Sequence, residues 1–267
     1  MIGSTLNFTR NVAGAVLLSA TMAASAQALP QFTFDPSAVG LNGTAFTADN
    51  IIVSDYATAS FTPDGMGGAT FTESGVLAVG AFQLGGSFVV PAGLNSTYGL
   101  YFGFDATGTI NTPTWQASSV GDFTAVDFTL WGYDILGGPG SITYQPTNIT
   151  PGGASNLIAL ATGTLIDGGV AANEIGGVPV PNAQLFASFE TTAAGDAFFV
   201  DPNPFYQAVF SAFTNTPTQI EITANGFIID QGGGAANFLV STPEPASMAL
   251  LGAGLLGLGF LRRRPAA

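Results

Sequence analysis

Any chemistry in this chain must be done by oxygen. Its 17 Asp and Glu residues stand beside 4 Arg, with no Lys, no His and no Cys. Without imidazole or thiol, Ser-His-Asp and Cys-His nucleophilic machinery cannot be assembled, and transition-metal sites lose their usual ligands. Without lysine, Ser-Lys and Schiff-base chemistry go too. Paired carboxylates remain, since a glycoside hydrolase needs only two acids about 5 to 10 Å apart. Asp127 and Asp134 flank Trp131 and Tyr133, acids beside rings that stack on sugars, yet Asp105, Glu190 and Glu221 are equally free and no pair is singled out. The expectation is a protein with no catalytic residues, its acids facing outward on strands and keeping it soluble. Trp115, Trp131 and Tyr133, with Tyr101, are candidate sugar-stacking platforms, although aromatics at alternating strand positions are more often core.

The basic residues are confined to the ends. Arg10 lies near the start and Arg262, Arg263 and Arg264 near the finish. Between Leu29 and Ser241 there are 16 acids, the 17 of the chain less Glu244, and no basic residue. This body can form no internal salt bridge, and it has nothing with which to neutralise phosphates, which excludes nucleic acid and anionic lipid as charge-driven partners. No Asp-x-Asp-x-Asp-Gly loop occurs, so neither a metal site nor a cofactor is expected, and divalent cations would bridge its carboxylates only weakly and diffusely. Without disulfides, a body of about 210 residues must rely on its core, and that length suffices.

Both ends read as addresses. An apolar stretch from Val12 to Ala24 precedes Ala26-Gln27-Ala28, the small-x-small pattern that signal peptidase accepts, which predicts a signal helix and a mature start at Leu29. Near the other end, Pro243-Glu244-Pro245 forms a helix-resistant strip. An apolar run from Ala246 to Leu261 and the three arginines follow. As a helix that run spans roughly 24 Å, short of a ~30 Å hydrocarbon core, with the arginines holding its end at the cytoplasmic face. Motif, short hydrophobic helix and basic cluster together resemble the PEP-CTERM sorting signal of Gram-negative bacteria. The resemblance implies transient inner-membrane anchoring, cutting near Pro243 to Pro245 by an exosortase-type membrane protease, and release to the cell surface or extracellular matrix. The chain thus divides into a signal peptide (1–28), a body (29–241) and a sorting and anchor segment (242–267).

Within the body the pattern is strand and turn. Val126, Phe128 and Leu130 alternate with Asp127 and Thr129, a half-buried strand running to Trp131. Similar runs cover Ala69–Thr72, Leu77–Leu84, Ser87–Val90, Tyr98–Asp105, Leu185–Glu190, Gln219–Ala224, Phe227–Ile229 and Asn237–Val240. Asn225-Gly226 predicts a hairpin. Thr147–Leu157 and Asp167–Pro181, rich in Gly, Pro, Ala and Asn, read as surface loops. Asn203-Pro204 starts either a short helix with Phe205, Val209 and Phe213 on one face or a bulged strand. The fold class expected is all-β, a single antiparallel sandwich of jelly-roll type, because no long amphipathic helices separate the strands.

Fragments of the body resemble the flocculation-associated PEP-CTERM proteins, among them Phe32-Thr33-Phe34-Asp35, Tyr98-Gly99-Leu100-Tyr101-Phe102, Phe128-Thr129-Leu130-Trp131 and Asn225-Gly226-Phe227. The resemblance implies a surface or matrix component that supports cell aggregation together with extracellular polysaccharide. A carbohydrate-binding module, or a structural protein that self-associates through sheet edges, is the alternative expectation.

Overall fold

Glycine pairs set two of the tightest turns. Gly85-Gly86 (φ 59° and 79°) joins Leu84 to Ser87, and Gly176-Gly177 (φ 61° and 84°) joins Ile175 to Val178. Two successive positive φ values give a turn whose twist matches the flanking antiparallel strands. The computed structural model describes residues 29–239. The expected signal helix with Ala26 and Ala28, and the expected anchor helix with Pro243, Glu244, Pro245 and Arg262 to Arg264, lie outside the described residues.

The strands, in chain order, are β1 (Phe32–Phe34), β2 (Phe46–Ala48), β3 (Asn50–Pro63), β4 (Ala69–Leu84), β5 (Ser87–Val89), β6 (Tyr98–Ile110) and β7 (Val120–Asp134). Then come β8 (Ser155–Ile175), β9 (Val178–Ser188), β10 (Glu190–Thr191), helix α1 (Ala193–Phe198), β11 (Phe199–Asp201), β12 (Ala208–Thr214), β13 (Ile220–Thr223) and β14 (Gly226–Phe238). Eight of them pair in the order β8-β7-β6-β4-β3-β14-β12-β9, and β9 pairs back onto β8. The ring closes. The all-β, antiparallel character is as expected, but the strands form one closed barrel rather than the two facing sheets of a jelly roll. Closure rests on the 21 residues of β8, long enough to pair with β7 and with β9. A closed ring abolishes the free edges a sandwich must protect.

One local expectation changes and one open choice is resolved. Asp167–Pro181 is not a loop but the end of β8 and the start of β9, joined by the Gly176-Gly177 turn. The stretch from Asn203 carries no helix; it leads into β12, where Val209, Ser211 and Phe213 share a face. A four-residue spacing fits a strand as well as a helix, because four is also a multiple of two. The short helix that does form is α1, where the Thr192 side chain accepts from Gly195 N–H. A Cβ on Gly195 would lie 1.8 Å from the Leu160 carbonyl, so α1 can approach β8 only with glycine there.

The two ends of the barrel are plugged differently. At one, β1, β2 and β11 form a small separate sheet, and Phe34, Phe46, Phe82, Phe198, Phe199 and Phe238 belong to a shared aromatic cluster. At the other, Trp115 from the β6–β7 connection stacks on Phe61 (5.7 Å between ring centres), meets Phe227 edge-on at 5.1 Å, and donates its indole N–H to the Pro179 carbonyl at 2.7 Å. Outward positions on β3, β4 and β6 carry Thr58, Ser60, Thr72, Ser74, Asp105 and Thr107, while the interior is mainly apolar. That is the inverse of a membrane-spanning barrel, whose outer band faces lipid. Among the described residues no helix is long and apolar enough to cross a membrane.

Candidate functional site

Antiparallel register brings chemistry together on the wall formed by β6, β7 and β8. Asp105 lies opposite Asp127, and Asp127 opposite Thr164. In the next row, Thr129 is opposite Thr162, and Thr162 opposite Glu190 of β10. One row further, Tyr101 pairs with Trp131. Side chains at directly opposed positions stand about 5 Å apart, so this lattice places three carboxylates, several hydroxyls and an indole on one patch. They line a groove of about 460 Å³.

The groove has one built wall. The connection 135–154 after β7 folds back over the outside of the barrel, where Tyr56 stacks on Tyr144 at 5.2 Å and Thr58 donates to the Pro146 carbonyl at 3.0 Å. Ile149 and Thr150 of this connection line the groove beside Trp131. Gly103 makes that approach possible, because a Cβ there would sit 2.9 Å from the Ile149 carbonyl. Asp105 and Asp127 also line an adjoining hollow with Thr58, Ser74 and Thr107, so the polar band continues across β3 and β4.

The sequence candidates separate cleanly. Trp131 is half-buried and lines the groove. Trp115, 6 % exposed, is a plug of the barrel end and offers no open ring face. Tyr133 is fully buried, its hydroxyl 2.7 Å from that of Tyr144, beneath the 135–154 connection. Burial pushes the Tyr133 hydroxyl well above its ordinary range, with Tyr144 adding to the effect. Neither can stack on a sugar, and both expectations are corrected here. Tyr101 is likewise buried. Of the acids, Asp105, Asp127, Glu190 and Glu221 are exposed as expected, while Asp134 accepts from Asn156 Nδ2 at 2.7 Å.

Three acids were missed by reading all of them as outward. Asp49 is buried and accepts from Gly85 N–H at 2.6 Å, while Asp55, buried, and Glu73, half-buried, line the interior. For the two interior acids the signal was phase, because Asp55 falls in step with Val53, Ala57 and Ala59, and Glu73 with Phe71 and Leu77. An acid that shares parity with the apolar residues of a strand points into the core.

A match to a known family lies at the C-terminal end. Residues 241–264 match the family model described as the PEP-CTERM protein-sorting motif. The chain carries a PEP-CTERM sorting signal. A PEP-CTERM protein is exported through the envelope of a Gram-negative bacterium and processed by exosortase at the membrane. No curated protein and no solved structure matches the chain.

Proposed function

We propose that this PEP-CTERM protein is a non-catalytic component of the cell surface or extracellular matrix that holds polysaccharide in the groove beside Trp131 and so supports aggregation into flocs or biofilm. The observation that carries the reading is the register that sets Trp131 one row from Thr129 and Thr162 and two rows from Asp105 and Asp127. A sugar ring offers an apolar C–H face to an indole and hydroxyl donors to carboxylates. One flat ring with adjacent acceptors is what such a ligand requires. The exposed, cation-free carboxylates give divalent ions a weak route to bridge this surface to acidic polymers. Resemblance of the body fragments to flocculation-associated PEP-CTERM proteins supports the same direction. Assembly through sheet edges has less support, since the barrel ring closes on itself.

Affinity electrophoresis through gels containing the exopolysaccharide of the producing bacterium tests this. The protein is expected to be retarded, and Trp131→Ala, checked for folding by circular dichroism, to run as it does in plain gel. Equal retardation of the folded variant would remove the groove from the account.

A further inference from the structure

The barrel interior is not filled. Between the phenylalanine-rich end and the Trp115 end remains a cavity of about 80 Å³, walled by all eight ring strands. Its lining is mainly apolar and includes Phe102, Phe104, Phe123, Phe128, Phe213 and Phe227. Asp55 of β3 and Glu73 of β4 interrupt that lining. Asp55 is 4 % exposed, and its Oδ1 has no hydrogen-bond partner among the described residues. Asn215, 7 % exposed, donates its Nδ2 to the Pro181 carbonyl at 2.8 Å and leaves its Oδ1 unpartnered.

Buried polar groups in folded proteins are nearly always paired, and a desolvated carboxylate without a partner is costly. Here the chain has none to give. Residues 29–239 contain no Lys, Arg or His. Burial pushes the Glu73 carboxyl up to about 7, and burial with the neighbouring Glu73 charge holds the Asp55 carboxyl well above the usual carboxylate range. The cavity therefore sets two carboxyl groups and the Asn215 Oδ1 acceptor inside aromatic walls, with no cation among residues 29–239 to pair them.

We propose that the barrel interior is a binding site for a small alkylammonium ion, which would direct its N–H donors at Asp55 and Glu73 and rest its apolar body against the phenylalanine rings. Each alternative guest fails on one feature of the cavity. A divalent metal wants six to eight oxygen ligands, far more than this lining supplies. An anion is repelled by the acids, and a neutral hydrocarbon leaves Asp55 unpaired. An organic cation satisfies both, because ammonium donors meet carboxylates while aromatic faces attract the charge. The volume is roughly half of the 150 Å³ that accommodates benzene, which limits the guest to about three to five heavy atoms.

The pairing of the wall is interrupted between β7 and β8, and entry through it is part of the proposal. The β7–β8 pairs run from Val120↔Ala171 to Asp122↔Gly169 and resume only at Asp127↔Thr164. Phe123 and Val126, within that interval, line the cavity. Asp122 and Asp127, both exposed, bracket the interruption and favour the approach of a cation.

Titration of the full-length protein with propylammonium chloride tests the proposal, with sodium chloride at equal ionic strength and 1-propanol as controls. Calorimetry is expected to show saturable binding with a Kd on the order of 1 mM, the range open to so small a ligand. Neither control should saturate. Asp55→Asn should weaken binding by about tenfold or more, the worth of a charged hydrogen bond. If that variant does not fold, Ala106→Leu, which fills the cavity and leaves both acids in place, should abolish binding. Trp131→Ala should leave it unchanged, which separates this site from the outer groove. Absence of saturation, equal binding of 1-propanol, or full affinity in folded Asp55→Asn or Ala106→Leu would overturn the proposal.

Discussion

Asp105 of β6 and Asp127 of β7 face each other directly on the outer wall of the barrel. Both are exposed, and residues 29–239 hold no basic residue to offset either charge. Like charges at opposed positions cost the sheet a few tenths to about 1 kcal/mol. The wall keeps the pair against its own stability, as surfaces retained for binding often do.

Removing one charge should therefore help folding and harm function in part. Asp127→Asn is expected to stabilise the protein by about 0.5 kcal/mol, seen as a higher denaturant midpoint with unchanged slope. Aggregation of cells carrying the variant should fall only partly and should still scale with surface protein. Complete loss of aggregation with the variant folded would instead indicate catalysis, where one acid is indispensable.

The interior acids set an unusual pH profile. Glu73 in the folded barrel keeps its proton up to about 7, whereas an unfolded chain releases it near 4.5, and burial shifts Asp55 in the same direction. Between those values the native state binds more protons than the unfolded one, so Glu73 makes stability fall as pH rises from about 4.5 to 7, and Asp55 adds to the fall. Melting temperature should accordingly be higher at pH 5 than at pH 8, and Glu73→Gln should flatten the difference. Acidification removes the negative charge that keeps the body soluble, and light scattering should rise as molecules associate even while each remains folded.

Trp115 gives a third test, because its loss should damage the fold and spare the groove. Trp115→Ala removes a ring packed on Phe61 and Phe227 and should cost about 3–5 kcal/mol. The fraction that remains folded should still be retarded by polysaccharide. A stability loss under about 1 kcal/mol would mean that the indole does not seal that end of the barrel.

Processing is checked by mass. Protein released from cells is expected to begin at Leu29 and to lack Ala246 to Ala267. C-terminal peptides reaching Arg264 in released material would contradict cutting at the sorting motif.

Much of this fold was written in local pattern, and its closure was not. The alternation of Val126, Phe128 and Leu130 appears in β7 as read, and the hairpin read at Asn225-Gly226 joins β13 to β14, its loop shifted by one residue to Ala224-Asn225. The segment that completes the ring was obscured by Pro179 and Pro181, residues that ordinarily argue against a central strand. They are tolerated because β9 there pairs with β8 alone, its pairing to β12 starting only at Asn182. Which strands meet is a matter of register, and alternation within one strand does not specify a partner. The groove was half legible for the same reason: Trp131 and Asp127 stood out in one strand, but the places of Asp105, Thr162 and Glu190 beside them come from pairing.

The position of β14 bears on force. It is the last described strand, it ends at Phe238 just before the 241–264 motif, and it is zipped on one side to β3 and on the other to β12. Tension arriving through a C-terminal tether would pull β14 along its length, loading two ladders in shear at once instead of peeling them bond by bond. While its tail is still attached, the barrel is gripped by one of its most heavily paired strands.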